Sequence, residues 1–181
     1  METTIRCPRC EQEIDAEGPA CPACGYLHNG TLDCRRHPDR NAEGVCVICG
    51  DPVCEECDST DEMHHACPDH GSIPVIEGWA QIYTTSDDVE ADLIKENLQS
   101  EGVDAAVLSQ KDRSFGVELG DLSPVRVLVP AYDYLEATRV LAQHMDDAGE
   151  VVFACPSCGE AFDPGDTVCA SCGTPLPTPT A

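Results

Sequence analysis

The chain predicts an α+β multi-module protein: metal-stapled modules at both ends and through the N-terminal third, with a metal-free α+β domain between them. Three observations carry this. Its 14 cysteines fall in residues 7–67 and 155–172, with none in the 87 residues between. All 14, with two of the six histidines, sit in pairs spaced X-x-x-X. The cysteine-free stretch alternates strand-like and helix-like patterns. The expected modules are 1–30, 31–72, 73–150 and 151–176, with a disordered tail at 177–181. Small modules of this kind bury too little apolar surface to offset chain entropy, so metal supplies the missing stability.

The pairs are Cys7/Cys10, Cys21/Cys24, Cys34/His37, Cys46/Cys49, Cys54/Cys57, Cys67/His70, Cys155/Cys158 and Cys169/Cys172. They make 16 ligands. Tetrahedral zinc takes four, so the count closes on four ions with no thiol left over. Disulfides are the rival use of an even cysteine count, and they need an oxidising compartment. Residues 1–7 have neither the apolar core nor the cleavage pattern of an export signal. The expectation is therefore zinc, reduced thiols and a cytoplasmic location.

The first module holds Cys7-Pro8-Arg9-Cys10, ten residues, then Cys21-Pro22-Ala23-Cys24-Gly25. The last holds Cys155-Pro156-Ser157-Cys158-Gly159, ten residues, then Cys169-Ala170-Ser171-Cys172-Gly173. Equal spacing makes them an internal repeat. Each Cys-x-x-Cys turn sets two sulfurs on one side of a tight knuckle, and a glycine after the second cysteine supplies the positive φ that aims backbone N–H groups at sulfur. Ten residues suffice for a short returning hairpin. Both segments resemble zinc ribbons. Four cysteines close the shell, so neither zinc has a position for water or substrate.

In residues 34–70 only Gly50-Asp51-Pro52-Val53 separate the second and third pairs. That loop is too short to wrap both around one ion, so the middle pairs serve different metals. Sequential and interleaved arrangements both remain open on spacing alone. The run Cys34-Arg35-Arg36-His37-Pro38-Asp39, Ala42, Gly44, Cys46-Val47-Ile48-Cys49-Gly50, Val53 and Cys54-Glu55-Glu56-Cys57 resembles the short prokaryotic form of the B-box zinc finger. The resemblance implies a cross-braced, protein-interacting module. It favours Cys34, His37, Cys54 and Cys57 on one ion, with Cys46, Cys49, Cys67 and His70 on the other. Animal B-boxes end in two histidines, which makes His64 and His65 the alternative ligands; otherwise both are expected in an exposed polar loop. Arg35, Arg36 and Arg40 form a basic spot, expected to be a solvated salt-bridge face.

In the middle, Trp79–Thr84 reads as a strand. Thr85 or Ser86 is the expected cap of a helix that opens with Asp87, Asp88 and Glu90 and carries Val89, Leu93, Ile94 and Leu98 at helical spacing. Gly102 ends it. Val103–Leu108 is a second strand. Val125–Val129 is a third whose apolar run suits a central place, and Pro130 stops it. A second helix is expected from Tyr132 to Met145, with Tyr134, Ala137, Leu141 and Met145 on one face, and Val151-Val152-Phe153 as a fourth strand. The order β-α-β-β-α-β predicts a ferredoxin-like sandwich. Trp79–Thr84, Glu90–Leu98, Glu101–Ala105 and Val125–Pro130 resemble a family labelled a "putative prokaryotic signal-transducing domain", likened to the nitrogen-regulatory PII fold. In PII-like proteins the loop between the second and third strands contacts partners, which directs attention to residues 111–119. The alternative for that segment is a hairpin packing Phe115 on the core.

The formal charge is −24, spread as −10 over residues 1–72, −11 over 73–150 and −3 over 151–181. No segment is basic, and zinc held by four thiolates is itself negative. Such a field repels phosphate backbones, so a nucleic-acid partner is not expected. No stretch approaches the roughly 18 apolar residues of a membrane span. There is no phosphate loop, nucleophile elbow or zinc-protease helix, and no enzyme activity is expected. His28 is expected in solvent and His144 near a helix C-terminus. The resulting expectation is a zinc-binding adaptor or regulatory protein that works through protein–protein contacts, its partner and oligomeric state unspecified. The alternatives are a nucleic-acid-associated ribbon factor and a thiol-based redox switch.

Overall fold

A computed structural model describes residues 4–59, 63–109, 124–144 and 151–177. The expected contact loop 111–119, Met145 and residues 178–181 lie outside the described residues. The protein is mixed α+β, and the chain divides into two compact units: Met1–Gln81 with Pro130–Leu135, and Ile82–Val129 with Glu136–Ala181.

The first unit is built from short hairpins around sulfur. Strand β1 (Thr4–Arg6) pairs antiparallel with β2 (Glu13–Asp15), Ile5 opposite Ile14. Strand β3 (Gly44–Val45) pairs antiparallel with β4 (Pro52–Val53). Strand β5 (Val75–Ile76) pairs with the start of β6 (Trp79–Thr85). The two-residue turn between them, Glu77-Gly78, has φ of 49° and 87°. Two left-handed residues give the primed turn that matches strand twist. The buried clusters are rich in cysteine: Cys7, Cys21 and Cys24 around Ile14, and Cys34, Cys46, Cys54, Cys57 and Cys67 around Val47, Ile48 and Val53.

The second unit has an aliphatic core. Helix α1 (Asp88–Ser100) buries Ala91, Leu93, Ile94 and Leu98. Strands β7 (Ala106–Ser109) and β8 (Val125–Pro130) pair antiparallel, Val107 opposite Val127. A 3-10 turn (Ala131–Asp133), which belongs to the first unit, is followed by α2 (Tyr134–Ala142), and α2 buries Ala137, Val140 and Leu141. Burying each large aliphatic side chain contributes about 2 kcal/mol. The sheet order is β5-β6-β8-β7, with β8 inside it as its run of Val125, Val127 and Val129 requires. This order is compatible with a ferredoxin-like sheet.

Several elements differ from expectation. The cap of α1 is Asp87, whose Oδ1 accepts from the Val89 N–H at 2.8 Å; Thr85 Oγ1 instead accepts from the Asp87 N–H at 3.1 Å and donates to Glu90. The second strand begins at Ala106, because Val103 N–H still donates to Leu98 O at 3.0 Å and Ala105 N–H to Asp104 at 3.0 Å. The second helix ends at Ala142. The predicted fourth strand does not sit beside the first: β5 holds that place. Residues Phe153–Ala154 form β9, which pairs with β10 (Ala161–Phe162), and the Phe153 and Phe162 rings lie 5.9 Å apart.

Candidate metal centres

Knuckle turns shape every site. Gly25 N–H donates to Cys21 O at 2.8 Å, Gly50 N–H to Cys46 O at 2.8 Å, Gly159 N–H to Cys155 O at 2.8 Å and Gly173 N–H to Cys169 O at 2.9 Å. These four glycines have φ between 72° and 75°. The first knuckle uses Glu11 at φ 62° in that role, a strained choice for a residue with a Cβ.

The 16 predicted ligands gather into four groups: Cys7, Cys10, Cys21, Cys24; Cys34, His37, Cys54, Cys57; Cys46, Cys49, Cys67, His70; and Cys155, Cys158, Cys169, Cys172. Within each, the candidate ligand atoms lie within 4.8 Å of one another. Residues 34–70 are thus grouped in the interleaved arrangement. Zinc–sulfur bonds of about 2.3 Å in a tetrahedron put sulfurs ~3.8 Å apart. Cys7–Cys24 and Cys155–Cys172 are at 3.7 Å, Cys10–Cys21 and Cys158–Cys169 at 3.6 Å, and Cys49–Cys67 at 3.9 Å. A disulfide would need about 2.05 Å, and all 14 cysteines are free. His37 Nδ1 lies 3.4 Å from Cys54 and 3.3 Å from Cys57, and His70 Nδ1 3.2 Å from Cys67 and 3.6 Å from Cys46. Hydrogen bonds to Cys54 and then Cys34 raise the pKa of His37, so acid competes with metal for that ring. Spacing and donor softness fit zinc.

The shells are not equally covered. In the first group only Cys10 is more than slightly exposed, whereas Cys158 and Cys172 of the last are exposed. Thr174 Oγ1 lies 3.1 Å from Cys172 Sγ, and its hydrogen bond, followed by backbone N–H contact, lowers that thiol to about 6.

His65 is not placed in an exposed loop and is not grouped with the ligands. Its side chain is buried between the first site and the double site. Nδ1 lies 2.5 Å from Asp58 Oδ2, and Arg9 Nη1 meets Nε2. An arginine N–H only donates, so Nε2 accepts and Nδ1–H donates to Asp58. The backbone joins in: His65 N–H donates to Cys24 O at 3.0 Å, Val47 N–H to His65 O at 3.0 Å and Val45 N–H to Gly25 O at 2.9 Å. Glycine makes the room. A Cβ on Gly44 would fall 2.1 Å from His65 Cδ2, and one on Gly25 2.1 Å from Val45 O. The first site and the double site are therefore one packed body. His64 is half-buried.

The arginine spot is ion-paired, as expected of a solvated face: Arg36 to Asp69 at 2.7 Å, Arg40 to Glu56 and Arg35 to Asp51 at 3.8 Å, all with exposed side chains. His28 is half-buried rather than in solvent, its Nε2 3.2 Å from Asp15 O. Among the described residues no helix is long and apolar enough to cross a membrane.

Two stretches match known families. Residues 79–144 match a family described as "Putative prokaryotic signal transducing protein". Residues 152–176 match a zinc-ribbon domain. The two matches bracket the aliphatic domain and the last cysteine group. No curated protein and no solved structure matches the chain.

Proposed function

We propose that this protein is a cytoplasmic zinc-loaded adaptor with a regulatory core and no catalysis of its own. Four ions hold two terminal ribbons and a cross-braced B-box-like module, and the β-α-β-β-α unit between them acts as a ferredoxin-like signal-transducing domain. The observation that carries the reading is the closure of the four ligand groups. Every cysteine stands in a four-donor cluster, so each metal would be saturated by protein. A saturated ion builds surface and offers no substrate position. The match of residues 79–144 to a signal-transducing family supports a regulatory role for the domain. The charge of −24 favours protein partners over nucleic acid.

The test compares tagged full-length protein, zinc-loaded or stripped with a chelator, for the proteins it captures. A captured set that is lost on stripping and regained with zinc supports the adaptor. An unchanged set, or none, overturns it. Native mass spectrometry of the loaded chain checks the four ions. A second reading, the thiol switch, draws on the exposed Cys158 and Cys172 alone. It requires that a mild peroxide dose release one zinc and leave the adaptor contacts changed.

A further inference from the structure

The two four-cysteine sites repeat one backbone design, and in only one copy is the edge after the last cysteine covered. In the N-terminal copy, Cys24 O and Gly25 O accept from His65 and Val45 N–H, Tyr26 bridges antiparallel to Gly44, and both Cys24 and Gly25 are buried. The C-terminal copy keeps the same local shape. Gly173 has φ 72° against 75° at Gly25. Cys169 N–H donates to Thr174 O at 2.9 Å, as Cys21 N–H does to Tyr26 O at 2.9 Å. The Val168–Pro175 bridge repeats Ala20–Leu27. Yet Cys172 and Gly173 are exposed, and nothing lies within 4 Å of a Cβ placed on Gly173. Among the described residues no backbone N–H is bonded to either carbonyl. Equal geometry presents two equal acceptors, here with no cover.

We propose that the Cys172-Gly173-Thr174 edge docks an extended, lysine- or arginine-bearing segment of a partner protein. The contact is strand addition: the partner's extended segment donates a backbone N–H to Gly173 O, as Val45 of β3 does to Gly25 O beside the Tyr26–Gly44 bridge, while the acceptor matching Cys172 O is served in the N-terminal copy by a separate segment, at His65. The inference rests on the adaptor reading and names the surface through which it works. Charge selects the partner. Residues 151–181 carry Glu160, Asp163 and Asp166 and no Lys or Arg, and the four thiolates add negative charge even with zinc bound. The N-terminal copy has Arg9 beside its docked segment, where the C-terminal copy has Ser157. The partner therefore brings its own cation. A second copy of this chain is a poor occupant, because its β3 edge is already taken by its own N-terminal site.

The test uses the full, zinc-loaded chain with backbone nitrogen labelling. Two end-capped octapeptides are titrated in, one alternating valine and lysine, the other valine and glutamate. Saturable amide shifts are expected at Cys172–Thr174 with the lysine peptide and none at Cys24–Tyr26, where the edge is covered. The glutamate peptide should bind about tenfold more weakly, the scale of two exposed ion pairs, and the Glu160→Lys/Asp163→Lys variant should reverse the preference. Silence at Cys172–Thr174, an equal response at Cys24–Tyr26, or equal binding of both peptides overturns the proposal. So do shifts at these amides that grow with protein concentration alone, which would make a second copy the occupant. Chelator-sensitive capture with a silent edge defeats this proposal and leaves the adaptor standing; a responsive edge with no zinc-dependent capture does the reverse.

Discussion

Gly44→Ala should uncouple the first metal site from the double site, and its cost follows from one contact. The added Cβ would lie 2.1 Å from His65 Cδ2, 2.4 Å from Cγ and 2.6 Å from Nε2. An exposed ring would swing away cheaply. This one is 7% exposed and held on both nitrogens, by Asp58 and by Arg9. Moving it forfeits packing and breaks the ring's hydrogen bonds to Asp58, which keeps the Ala66 N–H, and to Arg9. Overpacking a core costs about 1–3 kcal/mol, and a stranded buried polar group costs a similar amount, so ~3 kcal/mol is expected for the variant. His65→Ala alone should cost about 2–3 kcal/mol through the lost ring and hydrogen bonds. The double variant should cost little more than His65→Ala, because without the ring the new methyl has room. The assay is urea unfolding followed by Trp79, the single tryptophan, at fixed free zinc, since metal binding shifts apparent stability. The double-mutant cycle isolates the contact. Additive costs, or a Gly44→Ala variant within ~0.5 kcal/mol of the parent, would refute the packing argument.

Gly25→Ala should cost far more than Gly173→Ala. Both residues are left-handed, worth about 1–2 kcal/mol of strain, but only the Gly25 Cβ strikes a backbone oxygen, Val45 O at 2.1 Å; equal zinc retention against a competing chelator would contradict this. Asp87→Ala should remove about 1 kcal/mol by taking away the acceptor for Val89 N–H, read as faster amide exchange in the first turn of α1. On stripping zinc with limiting chelator, iodoacetamide should label the exposed Cys172, whose thiol is held low, before the buried Cys21 or Cys24, whose thiols burial pushes up. The Cys172 rate should fall as pH drops through about 6, because a lowered thiol pKa keeps the thiolate only above that value; uniform labelling would speak against the exposure difference.

Ligand pairs were legible in the sequence because an X-x-x-X knuckle is a local object: one turn sets both donors, and spacing reports it. How the knuckles combine is not local. Spacing alone left residues 34–70 open between sequential and interleaved grouping, and only the resemblance to cross-braced fingers chose. The fourth strand failed for the same reason. Val151–Phe153 has strand composition, but composition does not name a neighbour, and the Phe153–Phe162 contact draws that segment into its own hairpin. The cap of α1 moved by one or two residues because Thr85, Ser86 and Asp87 are all competent caps, and the hydroxyl of Thr85 was drawn to Glu90.

His65 is the instructive miss, because its partners are spread along the chain: Arg9 is 56 residues away and Asp58 seven. A histidine flanked by His64 and Ala66 carries no mark of burial. The mark lies on the other side of the contact. Gly44 begins β3, has no positive φ assigned to it and ends no helix, so its backbone conformation does not require glycine. A glycine at such a place signals that something approaches too closely for a Cβ. The same logic, run on the second copy of the repeat, is what makes Gly173 informative. There the positive φ accounts for the glycine fully, no neighbour crowds it, and the edge it shares with Cys172 is left bare. Two copies of one backbone, one crowded and one open, separate what folding demands of that turn from what a partner would demand of it.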